Sequence, residues 1–202
     1  MAPDDRSRRS VLTPDTIRNA LERLATILDT AGVNAEITVY GGASLAIAYF
    51  KNDRTATADV DGSYHPVREV EAAAAQVATE LGLSESWLNN RMQMFLPPDG
   101  TDDSLTFLER GTVRISVGSA TTLLALKLRA SRPGRDFEDI AVLIRACGLT
   151  TVAECEALVS DFYLGEEAIP ARGYQLLEQA FGEVRIVNAD PPFVLPAITN
   201  LA

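Results

Sequence analysis

Asp59-Val60-Asp61 places two carboxylates one residue apart. On a strand, residues i and i+2 share a face, so both acids would project together while Val60 enters the core. Two like charges held that close repel unless a cation lies between them. Hard oxygen ligands in this arrangement suit Mg²⁺, with the remaining positions left to substrate phosphate oxygens. An isolated D-x-D also fits a polar strand end turned by Gly62. Upstream, Gly41-Gly42 would let backbone approach a bulky anion, and the amides opening the next segment, with the Ser44 hydroxyl, would complete a phosphate cradle. The same glycines also fit an ordinary strand-to-helix turn.

The basic partners come later. Lys127 interrupts the apolar run TTLLALKLRAS, where a lysine either snorkels to solvent or reaches a phosphate as a point charge. Arg129, Arg132, Arg135 and Arg145 follow and make this the densest basic stretch of the chain. Asp136 and Asp139 fall three apart at the head of the next helix, on nearly one face, where the helix dipole alone would favour acids.

These residues need elements to hold them. Thr13 as N-cap, Pro14 at the first helical position and Ile17, Leu21, Leu24 and Leu28 on one face predict a first helix that stops near Gly32. AEITVY reads as a strand, released by Gly41-Gly42 into a compact apolar helix, ASLAIAYF; TATADVD reads as the next strand. VREVEAAAAQVATELGL predicts an alanine-rich helix ending near Gly82, and LTFLE, Arg110-Gly111 and TVRISV an antiparallel hairpin. Four helical segments follow: SATTLLALKLRAS, then after a Pro133-Gly134 break RDFEDIAVLIRACG, TTVAECEALVSDFYL with a Thr151/Glu154 capping box, and ARGYQLLEQAFG. Strands early and helices late predict an α+β chain rather than a doubly wound parallel sheet. The expected divisions are a flexible arm over 1–11 carrying Arg6, Arg8 and Arg9, a core over 12–118, a helical subdomain over 119–183 and an extended proline-rich tail over 184–202.

Composition narrows the function classes. With 202 residues and 47% hydrophobic content the chain is a folded globular protein. No apolar run reaches membrane-spanning length and the polar start has no signal-peptide core, so the expected place is the cytoplasm, without a membrane partner. A net charge of −10 argues against broad coating of nucleic acid, yet leaves room for a local basic groove or a divalent cation between carboxylates and phosphates. Cys147 and Cys155 lack metal-site spacing and read as reduced structural thiols, and His65 as a turn or surface residue.

Taken in order, GGAS, TADVD, LLALKLRAS and RDFEDI resemble the nucleotidyltransferase toxins of the AbiEii and MenT type and the allied DUF6036 proteins. WLNNRMQMFLP (87–97) is similar to the segment those proteins carry between D-x-D and hairpin, and the likeness spans about residues 37–160. It implies a polymerase-beta-like nucleotidyltransferase core, a mixed sheet with helices, followed by a helical C-terminal half. Gly41, Gly42 and Ser44 would hold the triphosphate of an NTP substrate, and Asp59 and Asp61 a Mg²⁺ ion, with Mn²⁺ as a substitute. Lys127 would steady the β- or γ-phosphate, Asp139 rather than Asp136 would complete the last motif, and Arg135 stands where the family usually has lysine. Arg114-Ile115-Ser116-Val117 occupies the place of a motif that supplies a third carboxylate, so Ser116 leaves that ligand unfilled. The resemblance further implies a toxin of a type IV-like toxin-antitoxin system that adds nucleotides to the 3′ acceptor end of tRNA and blocks aminoacylation. The Arg129 to Arg145 segment would contact the tRNA, and a cognate antitoxin would act by occluding the pocket or phosphorylating Thr57. Transfer to a protein or small molecule, or a nucleotide-binding pseudoenzyme, are the alternatives.

Overall fold

The computed structural model describes residues 11–50, 57–96, 104–132, 134–163 and 169–182. Residues 1–10 of the expected arm and the whole of the expected tail, 184–202, lie outside the described residues.

The chain is α+β, with one mixed five-stranded sheet and seven α-helices among the described residues. Helix α1 (Pro14–Thr30) begins where Thr13 accepts a hydrogen bond from the Thr16 amide and buries Ile17, Leu21, Leu24 and Leu28 as its periodicity predicts. Strand β1 (Ala35–Tyr40) leads into a single α turn, α2 (Gly41–Ser44), which continues as a π turn over Leu45–Tyr49. Strand β2 is Val60–His65, helix α3 Val67–Leu81 and β3 the two residues Leu88–Asn89, followed by a 3₁₀ turn at Arg91–Phe95. Strands β4 (Leu105–Arg110) and β5 (Val113–Val117) form the expected hairpin, closed by Gly111 at φ +53°. Helices α4 (Ala120–Ala130), α5 (Phe137–Ala146), α6 (Val152–Phe162) and α7 (Ala171–Gly182) complete the chain, and α6 starts with the predicted Thr151/Glu154 capping box.

Strand order is β3-β2-β1-β5-β4, with β1 antiparallel to β2 and parallel to β5. The alternation along β1 sorts the sheet into two faces: Ala35, Ile37 and Val39 are buried in the core, where α1 and α3 pack. The opposite face is polar, because the register sets Glu36 beside His65 and Arg114, Thr38 beside Ser63 and Ser116, and Tyr40 beside Asp61. Asp61 and Ser116 therefore share this face. Helices α4 to α7 pack on one another, and α5 also meets the π turn, which ties the helical half to the sheet.

Two expectations need correction. Of the strand predicted over TATADVD, Thr55 and Ala56 lie outside the described residues; β2 starts at Val60, because its antiparallel partner β1 ends at Tyr40, opposite Asp61, and Thr57 makes an isolated bridge to Leu12. The predicted helix ASLAIAYF is a one-turn helix plus a π turn, too short to build a macrodipole.

Candidate functional site

Asp61 lies at the start of β2, half-buried, and Gly41 is folded directly against it. Gly41 has φ +62°, a conformation that favours glycine, and a Cβ there would stand 3.0 Å from Asp61 Oδ2. The first glycine of the pair is thus fixed by the turn and by the carboxylate, whereas Gly42 lines the adjoining cavity. Trp87, buried with its indole N–H donating to the Ala74 carbonyl, anchors the approach to β3 and sets Asn89 opposite Asp61. The Asn89 amide donates to Asp59 Oδ2 at 3.3 Å and to the Val60 carbonyl at 3.4 Å. Burial first, and then the neighbouring Asp59 charge, push the Asp61 carboxyl above the usual range, against the weaker pull of Asn89, Arg132 and Arg91. Asn89 and Arg91 are not among the sequence candidates; the β2–β3 ladder sets Asn89 opposite Asp61.

Lys127 neither snorkels nor stands free. Its ammonium is buried and paired with Asp136 Oδ1 at 2.8 Å and Asp139 Oδ2 at 2.6 Å. Arg132 completes the cluster: its backbone N–H and Nε reach Asp136 Oδ2 at 2.8 and 3.1 Å, and Nη2 reaches Oδ1 at 3.1 Å. Burial by itself would push Asp136 up, but the hydrogen bonds from Arg132 and Lys127 outweigh it and hold the carboxyl at about 2. Asp136 and Asp139 thus act together, joined through one lysine, and Asp139 is engaged in that ion pair.

The two clusters meet at a cavity of about 450 Å³, within the range that holds a nucleotide-sized ligand. Gly41, Gly42 and Asp61 line it from the sheet, Met92 and Phe95 from the 3₁₀ turn, and Leu123, Leu126, Lys127, Arg129, Ala130, Arg132 and Tyr163 from the helical half. No family model, no curated protein and no solved structure matches the chain. The cavity must therefore be interpreted from its own chemistry.

The remaining expected site residues fall as follows. Ser44 is fully buried, its hydroxyl has no hydrogen-bond partner among the described residues, and it is absent from the cavity lining. Arg135 is exposed and outside the lining; the arginine that reaches the cavity from this loop is Arg132. Thr57 donates its hydroxyl to the Asp59 carbonyl at 3.1 Å. Ser116 is buried on the polar sheet face beside Thr38 and Thr106 and does not line the cavity. Cys147 and Cys155 are unpaired, and burial pushes their thiols up to about 11 and about 12, so neither is a thiolate at neutral pH. Among the described residues no helix is long and apolar enough to cross a membrane.

The donor set suits a hard divalent cation that is shared with a substrate. No cluster of three or more His, Cys, Asp or Glu side chains that could hold a metal occurs among the described residues, so a closed protein cage is not offered. Two neighbouring carboxylates, of which Asp61 is raised first by burial and then by the Asp59 charge, would suit an Mg²⁺ that takes one or two acids and completes its shell from phosphate and water.

Proposed function

We propose that the chain is a metal-dependent nucleotidyltransferase, the catalytic toxin of a type IV-like toxin-antitoxin system acting in the cytoplasm on the 3′ end of tRNA, built on a polymerase-beta-like core. One observation carries this reading: the unbalanced Asp61 carboxylate, closed in by the Gly41 backbone, shares a nucleotide-sized cavity with Lys127, Arg129 and Arg132. Asp59 and Asp61 would hold Mg²⁺, which when bound supplies charge neutralisation at the phosphates. The Gly41-Gly42 backbone borders the triphosphate, while Arg129 and Arg132 face its negative charge.

The acceptor hydroxyl attacks the α-phosphorus, a new P–O bond forms as the α–β bridging bond breaks, and pyrophosphate leaves. The hydroxyl proton passes to water or to a substrate phosphate oxygen, since Asp139 is engaged with Lys127 and Ser116 lies away from the cavity. Lys127 serves by fixing Asp136, which in turn holds Arg132 at the cavity wall. A phosphate on Thr57, placed there by a cognate antitoxin, would put about two negative charges beside Asp59 and oppose triphosphate binding. The net charge of −10 favours a second reading in which the acceptor is a protein or a small molecule.

The test incubates the purified chain with Mg²⁺, each labelled nucleoside triphosphate and total tRNA. Label on tRNA that falls at least ~100-fold in Asp59→Ala is the expected result. Label on protein alone supports the second reading. Nucleotide binding without transfer to any acceptor would make the chain a pseudoenzyme and end the proposal.

A further inference from the structure

We infer that the apolar wall of the cavity is a nucleobase subsite whose stacking platform is the Tyr163 ring; the inference rests on reading the cavity as a nucleotide site. A polyanion accounts for Arg129 and Arg132, but it has no use for Met92, Phe95 or Tyr163, which line the same space. A flat aromatic group joined to a polyphosphate accounts for both sets.

The wall has the features that a base would use. The Arg129 guanidinium sits 4.5 Å from the centroid of the Tyr163 ring, and the Phe162 ring packs against it edge-on, centroids 4.8 Å apart at 81°. The Tyr163 ring is thereby held in one orientation, with a cation added to its π surface. Its hydroxyl is buried away from the cavity, so it is the ring and not the hydroxyl that is offered to a ligand. Phe95 lines the cavity while 49% exposed, so it stands at the rim, and its neighbour Met94 is 79% exposed. An exposed aromatic side chain at the rim of a cavity that is also lined by Met92 and by arginines matches a ligand with an apolar π face and a charged end. Stacking of a base on an aromatic ring is sequence-tolerant because every base has such a face, so the subsite separates nucleotides from bare phosphates more than one base from another.

The experiment compares, for the full chain with Mg²⁺, calorimetric binding of the four nucleoside triphosphates and of inorganic tripolyphosphate. Nucleotides should bind roughly tenfold or more tightly than tripolyphosphate. Tyr163→Leu should abolish most of that ratio while leaving tripolyphosphate affinity unchanged, and Tyr163→Phe should retain it. Phe95→Ala, at a half-exposed position outside the core, should lower the ratio independently. Equal binding of nucleotides and tripolyphosphate by the unmodified chain, binding of neither, or a ratio that survives both Tyr163→Leu and Phe95→Ala overturns the subsite. Transfer that persists with base-independent binding removes the subsite and leaves the proposed activity standing. A Tyr163-dependent ratio without transfer to any acceptor does the reverse.

Discussion

Asp59 and Asp61 have no ion pair among the described residues, and the side chain that hydrogen-bonds the Asp59 carboxylate is the neutral amide of Asn89. Asp136 and Asp139, beyond the far wall of the cavity, are buried against Lys127 and Arg132, two cations for two carboxylates. The residue types are the same and the electrostatic outcomes are opposite: burial and mutual repulsion raise Asp61, whereas hydrogen bonds from two cations lower Asp136 to about 2. A cluster with complete charge balance contributes to holding the helices together. A cluster left out of balance is here partly solvated, and on the proposed reading it would take up a cation. The contrast separates the structural acids of this chain from its candidate chemical ones more cleanly than the motifs do.

The strongest way to break that contrast is to unbalance the balanced cluster. Lys127→Met leaves two buried carboxylates facing Arg132 alone, and losing one partner of a buried ion pair typically costs about 3–5 kcal/mol. Urea denaturation should show a loss of that size. Adding Asp139→Asn to Lys127→Met should restore part of it, because one uncompensated charge is then gone. If Lys127→Met unfolds at the same urea concentration as the unmodified chain, the cluster does not carry the stability assigned to it.

A smaller effect comes from acid. The folded Asp136 carboxyl, at about 2, lies below its unfolded value near ~3.9, so the stability it contributes is fully present above about pH 4 and is lost as pH falls towards 2. The shift corresponds to roughly 2–3 kcal/mol, since each pH unit of displacement is about 1.4 kcal/mol. Urea midpoints measured between pH 5 and pH 2.5 should fall accordingly, and the part of the decline due to Asp136 should be missing in Asp136→Asn. An identical pH slope in the two proteins would show that Asp136 is not the group responsible.

Much of the fold that positions these clusters is legible in local sequence. Thr13, the Thr151/Glu154 box, Gly82 in the left-handed region and the Gly111 turn all mark boundaries through interactions within a few residues, which is why the sequence places them well. The start of β2 is not local: β-branched Thr57 suggests an earlier strand, but the ladder stops where β1 turns at Gly41. The candidate site divides in the same way. Gly41, Gly42 and Asp61 are visible as a pattern and do line one cavity, while Lys127 among leucines gives no sign that α4 and α5 fold back to close it on Asp136 and Asp139. Asn89, Arg132 and Tyr163 are brought to the site by strand register, a loop and the end of α6, none of which leaves a periodic signal.

The sharpest form of the comparison uses the smallest change in stability. Asp61→Asn keeps the shape that fits against Gly41 and removes one of two repelling charges from a half-buried position. Its unfolding free energy at neutral pH should lie within about 1 kcal/mol of the unmodified chain and on the stabilising side, as befits a side chain that balances no internal charge. Nucleotidyl transfer by the same variant should nevertheless fall by at least ~100-fold, because an amide is a poor ligand for a hard cation. Stability and activity would then move in opposite directions at Asp61, whereas at Lys127 both would fall. A loss of stability in Asp61→Asn comparable to that of Lys127→Met would place Asp61 with the structural acids, and the distinction between the two clusters would fail.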